Sequence, residues 1–343
     1  MRANLALTAS IAALLLVGCS NPFPPEEIVE KPRPLAGWIS VAGDPDRATP
    51  APGETATYEF LVENPGPRVA WSWLLIVCPV ATTQYGISIC DFQASWAPTD
   101  WPTATANPPA GAPPYPNPSI TFTVPSTDVL GPDSDQLLIN GFICPGGPLD
   151  PGIFEALAAG DASALSSVAN PCMDKSANGL LIATPFGLEL TPEDANNTPL
   201  ITDVQLNGLP LTSVADPEAP TTGCAGQGLY ELEAGTAYLP IDLTLNPGSR
   251  ETYVEPSPIP GEPSTTKTDD PQVTGYATGG DYDIRVDNQR EDGQVLQITW
   301  QTPPASSIPA DGVLVNLTFL VQDDRKATSW AQRSVCVLPP SNP

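Results

Sequence analysis

Proline is the feature that most restricts what this chain can fold into. The 343 residues include 44 prolines, roughly 13% where an average protein has about 5%. Proline breaks helix interiors and cannot donate a hydrogen bond within a central strand, so long helices and uninterrupted parallel sheets are disfavoured. Because 41% of the residues are hydrophobic, the chain can still build a core. The sequence therefore predicts a folded, mainly β protein, and its length suggests about two domains.

The charge balance and the lack of histidine exclude several classes of function. The sequence has 13 Lys and Arg against 39 Asp and Glu, a net charge of −26, and it has no His. Nucleic-acid binding needs a basic face, so we expect no nucleic-acid partner. Ser-His-Asp and Cys-His catalytic sites and His zinc sites all require histidine. We therefore predict a protein that is not an enzyme and has no catalytic residues.

The N-terminus has the pattern of an export signal. A short positive segment, Met1-Arg2, precedes an apolar stretch over residues 3–17 that is too short to span a membrane. The stretch ends in Leu16-Val17-Gly18-Cys19, which resembles the lipobox of bacterial lipoproteins. The resemblance implies that residues 1–18 are a lipoprotein signal peptide and that Cys19 is the lipidated first residue of the mature chain. The alternative is an ordinary secretory signal followed by a coincidental cysteine.

The residues after Cys19 bear on location. In Gram-negative members of the lipoprotein family, Asp after the lipidated cysteine favours the inner membrane, so Ser20 implies the outer membrane. The predicted protein is lipid-anchored there, periplasmic or surface-exposed, and contacts the membrane through its anchor. Residues 19–34 are polar and proline-rich, which predicts a semi-rigid tether with a reach on the order of 45 Å.

Cysteine usage agrees with export. If Cys19 is lipidated, six cysteines remain, and an even number in an exported chain predicts three disulfides. Many pairings are possible, and proximity along the chain favours pairing each cysteine with the next one in the sequence. The disulfide candidates are Cys78 with Cys90, Cys144 with Cys172, and Cys224 with Cys336. Because no Cys-x-x-Cys spacing occurs, a zinc or redox site is not expected.

Residues 35–148 have the pattern of a first β-sandwich. Apolar and polar residues alternate over 55–62 and 119–124, which predicts half-buried strands, and the apolar stretch 69–77 predicts a central strand. A further strand is expected at 136–144. The segment PGETATYEFLVENPG resembles the early strands of bacterial Ig-like modules, which implies an antiparallel Ig-like sandwich.

A helical connector is predicted over residues 149–194. Asp150 can cap a helix that begins at Pro151 and ends at Gly160. A second short helix would follow from Asp161, and Cys172 would hold the connector in place.

Residues 195–340 predict a second β-sandwich. Strict alternation over 237–245 and 312–322 predicts strands with one buried face, and a return strand is expected at 327–338. The segment VLVNLTFLVQDDRKATSWAQRSVCV resembles the closing hairpin of PKD-type and related bacterial Ig-like domains. Residues 246–272 are rich in Pro, Ser and Thr and predict a long loop.

Two groups of residues are candidate binding sites. Asp281, Asp283 and Asp287 follow Gly279-Gly280 and could offer oxygen ligands to Ca²⁺, although a solvated acidic loop explains the same pattern. Trp96, Trp101 and Tyr115 lie in a proline-rich segment, where exposed rings could stack on a glycan. The alternative is that these rings fix the segment to the core.

These observations predict a membrane-anchored, non-catalytic lipoprotein of the cell envelope that acts as a scaffold or adhesion module. The second hypothesis is a module that binds an envelope glycan or Ca²⁺, and a carbohydrate-active enzyme ranks last. No cofactor is expected apart from the possible Ca²⁺. The expected partner is an envelope protein or an envelope glycan.

Overall fold

The computed structural model describes most of the chain between Ile28 and Ser341. The described residues are 28–63, 70–82, 86, 88–91, 93–106, 116–130, 134–153, 170–175, 179–191, 195–211, 223–226, 228–255 and 262–341. The predicted signal peptide, Cys19 and residues 20–27 of the predicted tether lie outside this set. So do Tyr115 and residues 154–169 of the predicted connector.

Strands dominate the described residues, which confirms the prediction of a mainly β protein. In chain order they are β1 (Arg33–Val41), β2 (Thr55–Glu63), β3 (Trp71–Thr82), β4 (Ser88–Cys90), β5 (Thr103–Ala106), β6 (Ser119–Thr123), β7 (Gln136–Pro145), β8 (Leu180–Gly187), β9 (Ile201–Leu206), β10 (Leu209–Pro210), β11 (Tyr230–Glu233), β12 (Leu239–Leu245), β13 (Thr252–Glu255), β14 (Thr265–Thr268), β15 (Gln272–Ala277), β16 (Asp281–Ile284), β17 (Val286–Asn288), β18 (Leu296–Gln301), β19 (Val313–Gln322) and β20 (Thr328–Leu338).

Helical structure is sparse, as the proline content predicts. The described residues contain one short α-helix, Thr127–Leu130, a helical turn at 151–153, and the 3-10 turns Pro98–Asp100 and Ala305–Ser307. Within that part of the chain, no helix has the length and apolar character needed to cross a membrane.

Strands β1 to β8 form two facing antiparallel sheets, here called the N-terminal sheet pair. Their orders are β1-β2-β6 and β4-β3-β7-β8, with β5 also paired to β3. Because side chains alternate along a strand, Tyr58 and Phe122 point into the space between the sheets. The Phe186 ring on β8 lies 5.9 Å from the Tyr58 ring and 5.6 Å from the Phe122 ring. One hydrophobic cluster therefore joins the two sheets.

Strands β9 to β12 and β15 to β20 form the C-terminal sheet pair. The orders are β10-β9-β12-β18-β16 and β11-β20-β19-β15-β17, and all neighbours are antiparallel except β11 and β20. Leu239, Ile241, Leu243 and Leu245 are buried on one face of β12, as their alternation predicts. Trp300 is fully buried, and its ring N–H donates to the Gly279 carbonyl oxygen at 3.2 Å.

Three disulfides link strands to neighbouring segments, and they confirm the predicted pairing. Cys78 bonds to Cys90, joining β3 to β4, while Cys144 at the end of β7 bonds to Cys172. The third bond joins Cys224 to Cys336 on β20 and spans 112 residues of sequence. All six cysteines are buried. The first two disulfides lie in the hydrophobic cluster of the N-terminal sheet pair, and the third is buried beside β20.

Three segments differ from the sequence-based expectation. Residues 28–34 of the predicted tether pack on the fold, since Val29 is buried and its backbone N–H donates to the Ala277 carbonyl oxygen at 3.0 Å, and β1 begins at Arg33. Residues 180–187 of the predicted helical connector form strand β8, which pairs with β7 along its whole length. The predicted loop 246–272 contains the hairpin β13–β14, a separate two-stranded sheet. The sequences of β8 and β14 do not have the alternation of apolar and polar residues that predicts a strand. β8 contains Pro185, and β14 is exposed throughout.

The two sheet pairs contact each other through β1, β2 and the β19–β20 hairpin. The rings of Trp38 and Trp330 meet edge to face with centroids 5.7 Å apart. The Glu63 carboxylate on β2 accepts hydrogen bonds from the Thr318 hydroxyl, at 2.7 Å, and from the Gln332 side-chain amide. Because Glu63 is buried, the junction excludes water around this carboxylate.

Candidate functional site

A groove of about 600 Å³ runs between strands β1 and β8. Each of these strands is the last in its sheet, and they lie side by side on the facing sheets of the N-terminal sheet pair. The groove is lined by residues 34–37 of β1 and residues 181–187 of β8, and the β19–β20 hairpin adds to its wall. This is the open edge of the sheet pair, where neither strand has a further neighbour among the described strands.

The inner surface of the groove is aromatic. Tyr58, Phe60 and Phe186 are almost completely buried and line it. Gly37 on β1 is a close-approach position, because a β-carbon there would collide with the ring and hydroxyl of Tyr58. The missing side chain of Gly37 therefore lets the Tyr58 phenol lie beneath β1.

The Tyr58 hydroxyl is the polar group among these aromatic rings. Burial raises the pKa of the phenol above its ordinary value of 10.0, so the group stays neutral and protonated. It has no hydrogen-bond partner among the described residues. Buried hydroxyls are normally paired. This phenol therefore offers a free donor and acceptor to whatever occupies the groove.

The charge of the groove is opposite to that of the whole chain. None of the described lining residues is Asp or Glu, whereas Arg325 and Lys326 both line it. Arg325 is neutralised, because its guanidinium contacts Asp269 at 2.8 Å and Glu251 at 2.5 Å. Lys326 is exposed and makes no ion pair with a described residue. Among its described lining residues, the groove thus has one cation without an ion-pair partner, Lys326.

A second cluster of charged groups lies beside the groove, around the β19–β20 turn. Asp323 is buried and accepts a hydrogen bond from the Ala327 backbone N–H at 2.8 Å. Burial raises its pKa to about 7, and the nearby Asp269 carboxyl acts in the same direction. Arg325 also donates to the Ala195 carbonyl at 2.6 Å, just before the segment that enters β9. These contacts hold the turn that presents Lys326.

Two of the predicted aromatic residues belong to the core. Trp96 and Trp101 are each 6% exposed and lie in the hydrophobic cluster of the N-terminal sheet pair. The Trp101 ring N–H donates to the Trp96 carbonyl oxygen at 3.1 Å. Glycan stacking needs an exposed ring face, and neither ring presents one. Tyr115 lies outside the described residues.

The three predicted calcium ligands do not converge. Asp281 is on β16 and Asp287 is on β17, strands of opposite sheets. The Asp281 carboxylate accepts from the Tyr282 backbone N–H, and the Asp287 carboxylate accepts from the Gln297 backbone N–H, both at 2.9 Å. Asp283 is exposed. In the described part of the chain, no group of three or more acidic or cysteine side chains is arranged to hold a metal ion.

Sequence reasoning did not find the groove. Its two edges come from segments about 150 residues apart, and Lys326 comes from a third. One signal was present, namely Pro185 in the mainly apolar segment 180–187, because proline in a strand indicates an edge position. The remaining features depend on contacts between distant segments.

Comparisons with known proteins assign no family. No protein-family model matches the chain, and no curated protein matches it. Among solved structures, a red sea bream transglutaminase has 12% identity and a TM-score of 0.22. The match covers 89% of this chain and 32% of the transglutaminase chain. Escherichia coli alpha-2-macroglobulin activated by porcine elastase has 9% identity and a TM-score of 0.22. That match covers 92% of this chain and 22% of the macroglobulin chain. The chain spans about a third or less of either structure, and similarity at these values identifies neither a shared fold nor a shared function.

Proposed function

We propose that this chain is a lipid-anchored, non-catalytic lipoprotein of the cell envelope that acts as a scaffold or adhesion module. The observation that carries the proposal is the segment Leu16-Val17-Gly18-Cys19 at the end of an apolar stretch. The other six cysteines of the chain are used in disulfides. Cys19 is the seventh, and it occupies the position at which lipoproteins are acylated.

The anchor sets how the protein would be held. Cleavage before Cys19 and acylation would attach the mature N-terminus to the membrane, since more than one acyl chain gives stable anchoring. Residues 19–27 would then separate the sheet pairs from the lipid surface, because Val29 is already buried and β1 begins at Arg33. With Ser20 after the cysteine, we place the protein in the outer membrane.

The disulfides support an exported protein. Disulfides persist in oxidising compartments and are rare in the cytosol. Here each disulfide links a strand to another strand or to a loop, and all six of these cysteines are buried. A scaffold in the envelope gains from such cross-links, because they restrict the unfolded chain.

The experiment is membrane fractionation with acyl labelling. The wild-type chain and Cys19→Ala are expressed in a Gram-negative host that is fed an alkyne analogue of palmitate. We expect the wild type to sediment with membranes and carry the label, and Cys19→Ala to be soluble and unlabelled. The double variant Cys78→Ala/Cys90→Ala is the control, because it loses two cysteines but should keep both label and sedimentation. Sedimentation of Cys19→Ala with the membranes would contradict the proposal.

A further inference from the structure

We propose that the groove between β1 and β8 binds an extended peptide segment of a partner protein, which adds as a strand to the free edge of β8 and pairs an acidic side chain with Lys326. This inference rests on the proposed scaffold function and names the class of partner that the scaffold holds.

The position of the groove along β8 is the first argument. Every residue from 181 to 187 lines it. Successive side chains of a strand point to opposite faces, so consecutive residues can line one groove only where it follows the edge of the strand. Among the described strands, none pairs with the edge of β8 that faces away from β7. An unpaired edge presents backbone N–H and C=O groups that accept an added strand.

Proline limits where the added strand can pair. Pro185 has no N–H, and on β1 the chain has Pro34 and a register shift between Pro34 and Ala36. The five residues of β8 from 180 to 184 contain no proline. We therefore assign the pairing to this part of β8, with β1 as the opposite wall.

The inner surface suits the side chains of such a segment. A strand bound to β8 directs alternate side chains toward Tyr58, Phe60 and Phe186, where apolar groups would be buried. The groove volume lies within the range of ~300–1,000 Å³ that is typical of ligand sites. The unpartnered Tyr58 hydroxyl can pair with a backbone or side-chain group of the segment. An acyl chain would leave both this phenol and the free β8 edge without partners, which favours a peptide.

The positive charge of Lys326 favours a peptide that carries an acidic side chain. A protein of net charge −26 repels acidic segments over most of its surface. The groove has no acidic lining residue among those described, and Lys326 has no carboxylate partner there. Complementary charge fixes the position of a bound segment more than it adds affinity. Lys326 therefore determines which peptides enter.

The first test uses three fluorescein-labelled peptides and the full chain purified in detergent. The parent peptide has about nine residues of alternating Val and Thr with Glu at both ends, long enough at ~3.3 Å per residue to cover residues 181–187 in either direction. The second peptide has Lys in place of Glu, and the third has methylated backbone nitrogens. By fluorescence anisotropy we expect saturable binding of the parent, about fivefold weaker binding of the Lys peptide, and none of the methylated peptide.

The second test uses matched variants. Leu181→Asp changes an exposed apolar residue of the groove, and Leu209→Asp changes a similarly exposed leucine on β10; their exposed fractions are 62% and 52%. Lys326→Glu reverses the free cation, and Arg290→Glu reverses an exposed cation on the β17–β18 connection. We expect both groove variants to bind the parent peptide more weakly than the wild type does, and both control variants to bind it as tightly as the wild type. Lys326→Glu should instead prefer the Lys peptide, a reversal that misfolding cannot produce.

Several results would overturn the inference. They are no binding of the parent peptide, equal binding of the methylated peptide, an unchanged preference in Lys326→Glu, or displacement of the parent peptide by a fluorescent fatty acid that binds more tightly. Membrane anchoring is read out separately, through Cys19. If the protein is anchored but binds no peptide, only the proposal of peptide binding in the groove is refuted. If it binds peptide without being anchored, only the proposal of lipid attachment is refuted.

Discussion

Arg325 holds the carboxylate of Asp269 in a site that solvent does not reach. Its guanidinium donates from Nε at 3.2 Å and from Nη2 at 2.8 Å to the same Asp269 oxygen. Asp269 is fully buried. Burial raises the pKa of this carboxyl, and the Arg325 guanidinium opposes that rise. The β19–β20 turn therefore depends on one cation to compensate a buried acid on another segment.

Replacing Arg325 with Met should be strongly destabilising. The methionine keeps the aliphatic length but leaves Asp269 without its charge partner, and breaking a buried ion pair costs about 3–5 kcal/mol. It also removes the contact with the Tyr253 ring, whose centroid lies 4.7 Å from the guanidinium carbon. Urea unfolding of the variant should show this loss, and Arg290→Met, at an exposed position, should change stability by less than about 0.5 kcal/mol. Equal effects of the two substitutions would show that the buried pair contributes nothing.

Asp323 should make stability fall as the pH rises. Its pKa is about 7 in the fold against an ordinary value of 3.8, because the buried carboxyl is poorly solvated. The folded state therefore binds a proton that the unfolded state has released, so this contribution is fully present below about pH 4 and is lost as the pH rises to about 7. The size of the effect is on the order of 4 kcal/mol at most.

The variant Asp323→Asn tests this pH dependence. Asparagine keeps an oxygen that can accept from the Ala327 N–H but carries no charge. We expect its Tm to exceed that of the wild type at pH 8, with the difference disappearing near pH 4. Asp324→Asn is the matched control, because Asp324 is exposed on the same turn, and its Tm should follow the wild type at every pH. A Tm difference for Asp323→Asn that does not vary with pH would rule out titration of this carboxyl.

The sequence predicts strands where burial and periodicity coincide. In β12 the alternation from Leu239 to Leu245 gives the buried face directly, because side chains repeat every two residues. It does not predict β14, since the Thr-rich strand is exposed and has no apolar face. The burial of Trp96 and the proximity of Gly37 to Tyr58 depend on contacts between separate segments, which no local pattern encodes. The groove is non-local for the same reason.

The three disulfides should differ in their contribution to stability. A cross-link stabilises mainly by restricting the unfolded chain, and the effect grows with loop length. The Cys224–Cys336 bond spans 112 residues and the Cys78–Cys90 bond spans 12. By loop entropy alone, removing the Cys224–Cys336 bond should lower the free energy of unfolding by about 5 kcal/mol, and removing the Cys78–Cys90 bond should lower it by about 3 kcal/mol. Urea unfolding of Cys224→Ala/Cys336→Ala and Cys78→Ala/Cys90→Ala should show this order, and the reverse order would mean that packing around the shorter bond dominates.

The contact between Glu63 and Thr318 should couple the unfolding of the two sheet pairs. In Glu63→Ala, the Thr318 hydroxyl and the Gln332 amide lose a shared acceptor at a buried junction, which costs about 1–3 kcal/mol. Glu63→Gln keeps an oxygen in place and should cost less. Because the contact joins β2 to β19 and β20, its loss should also separate one urea transition into two.

The matched control for this prediction lies on the same strand. Glu59 is a partly buried residue of β2 that accepts from the Asn117 side chain at 2.8 Å, within the N-terminal sheet pair. Glu59→Ala should therefore lower stability by less than Glu63→Ala and leave a single transition. Tryptophan fluorescence follows the junction, since Trp38 and Trp330 are in contact there, and far-UV circular dichroism follows the strands. Coincident transitions by both probes in Glu63→Ala would show that other contacts suffice to couple the sheet pairs.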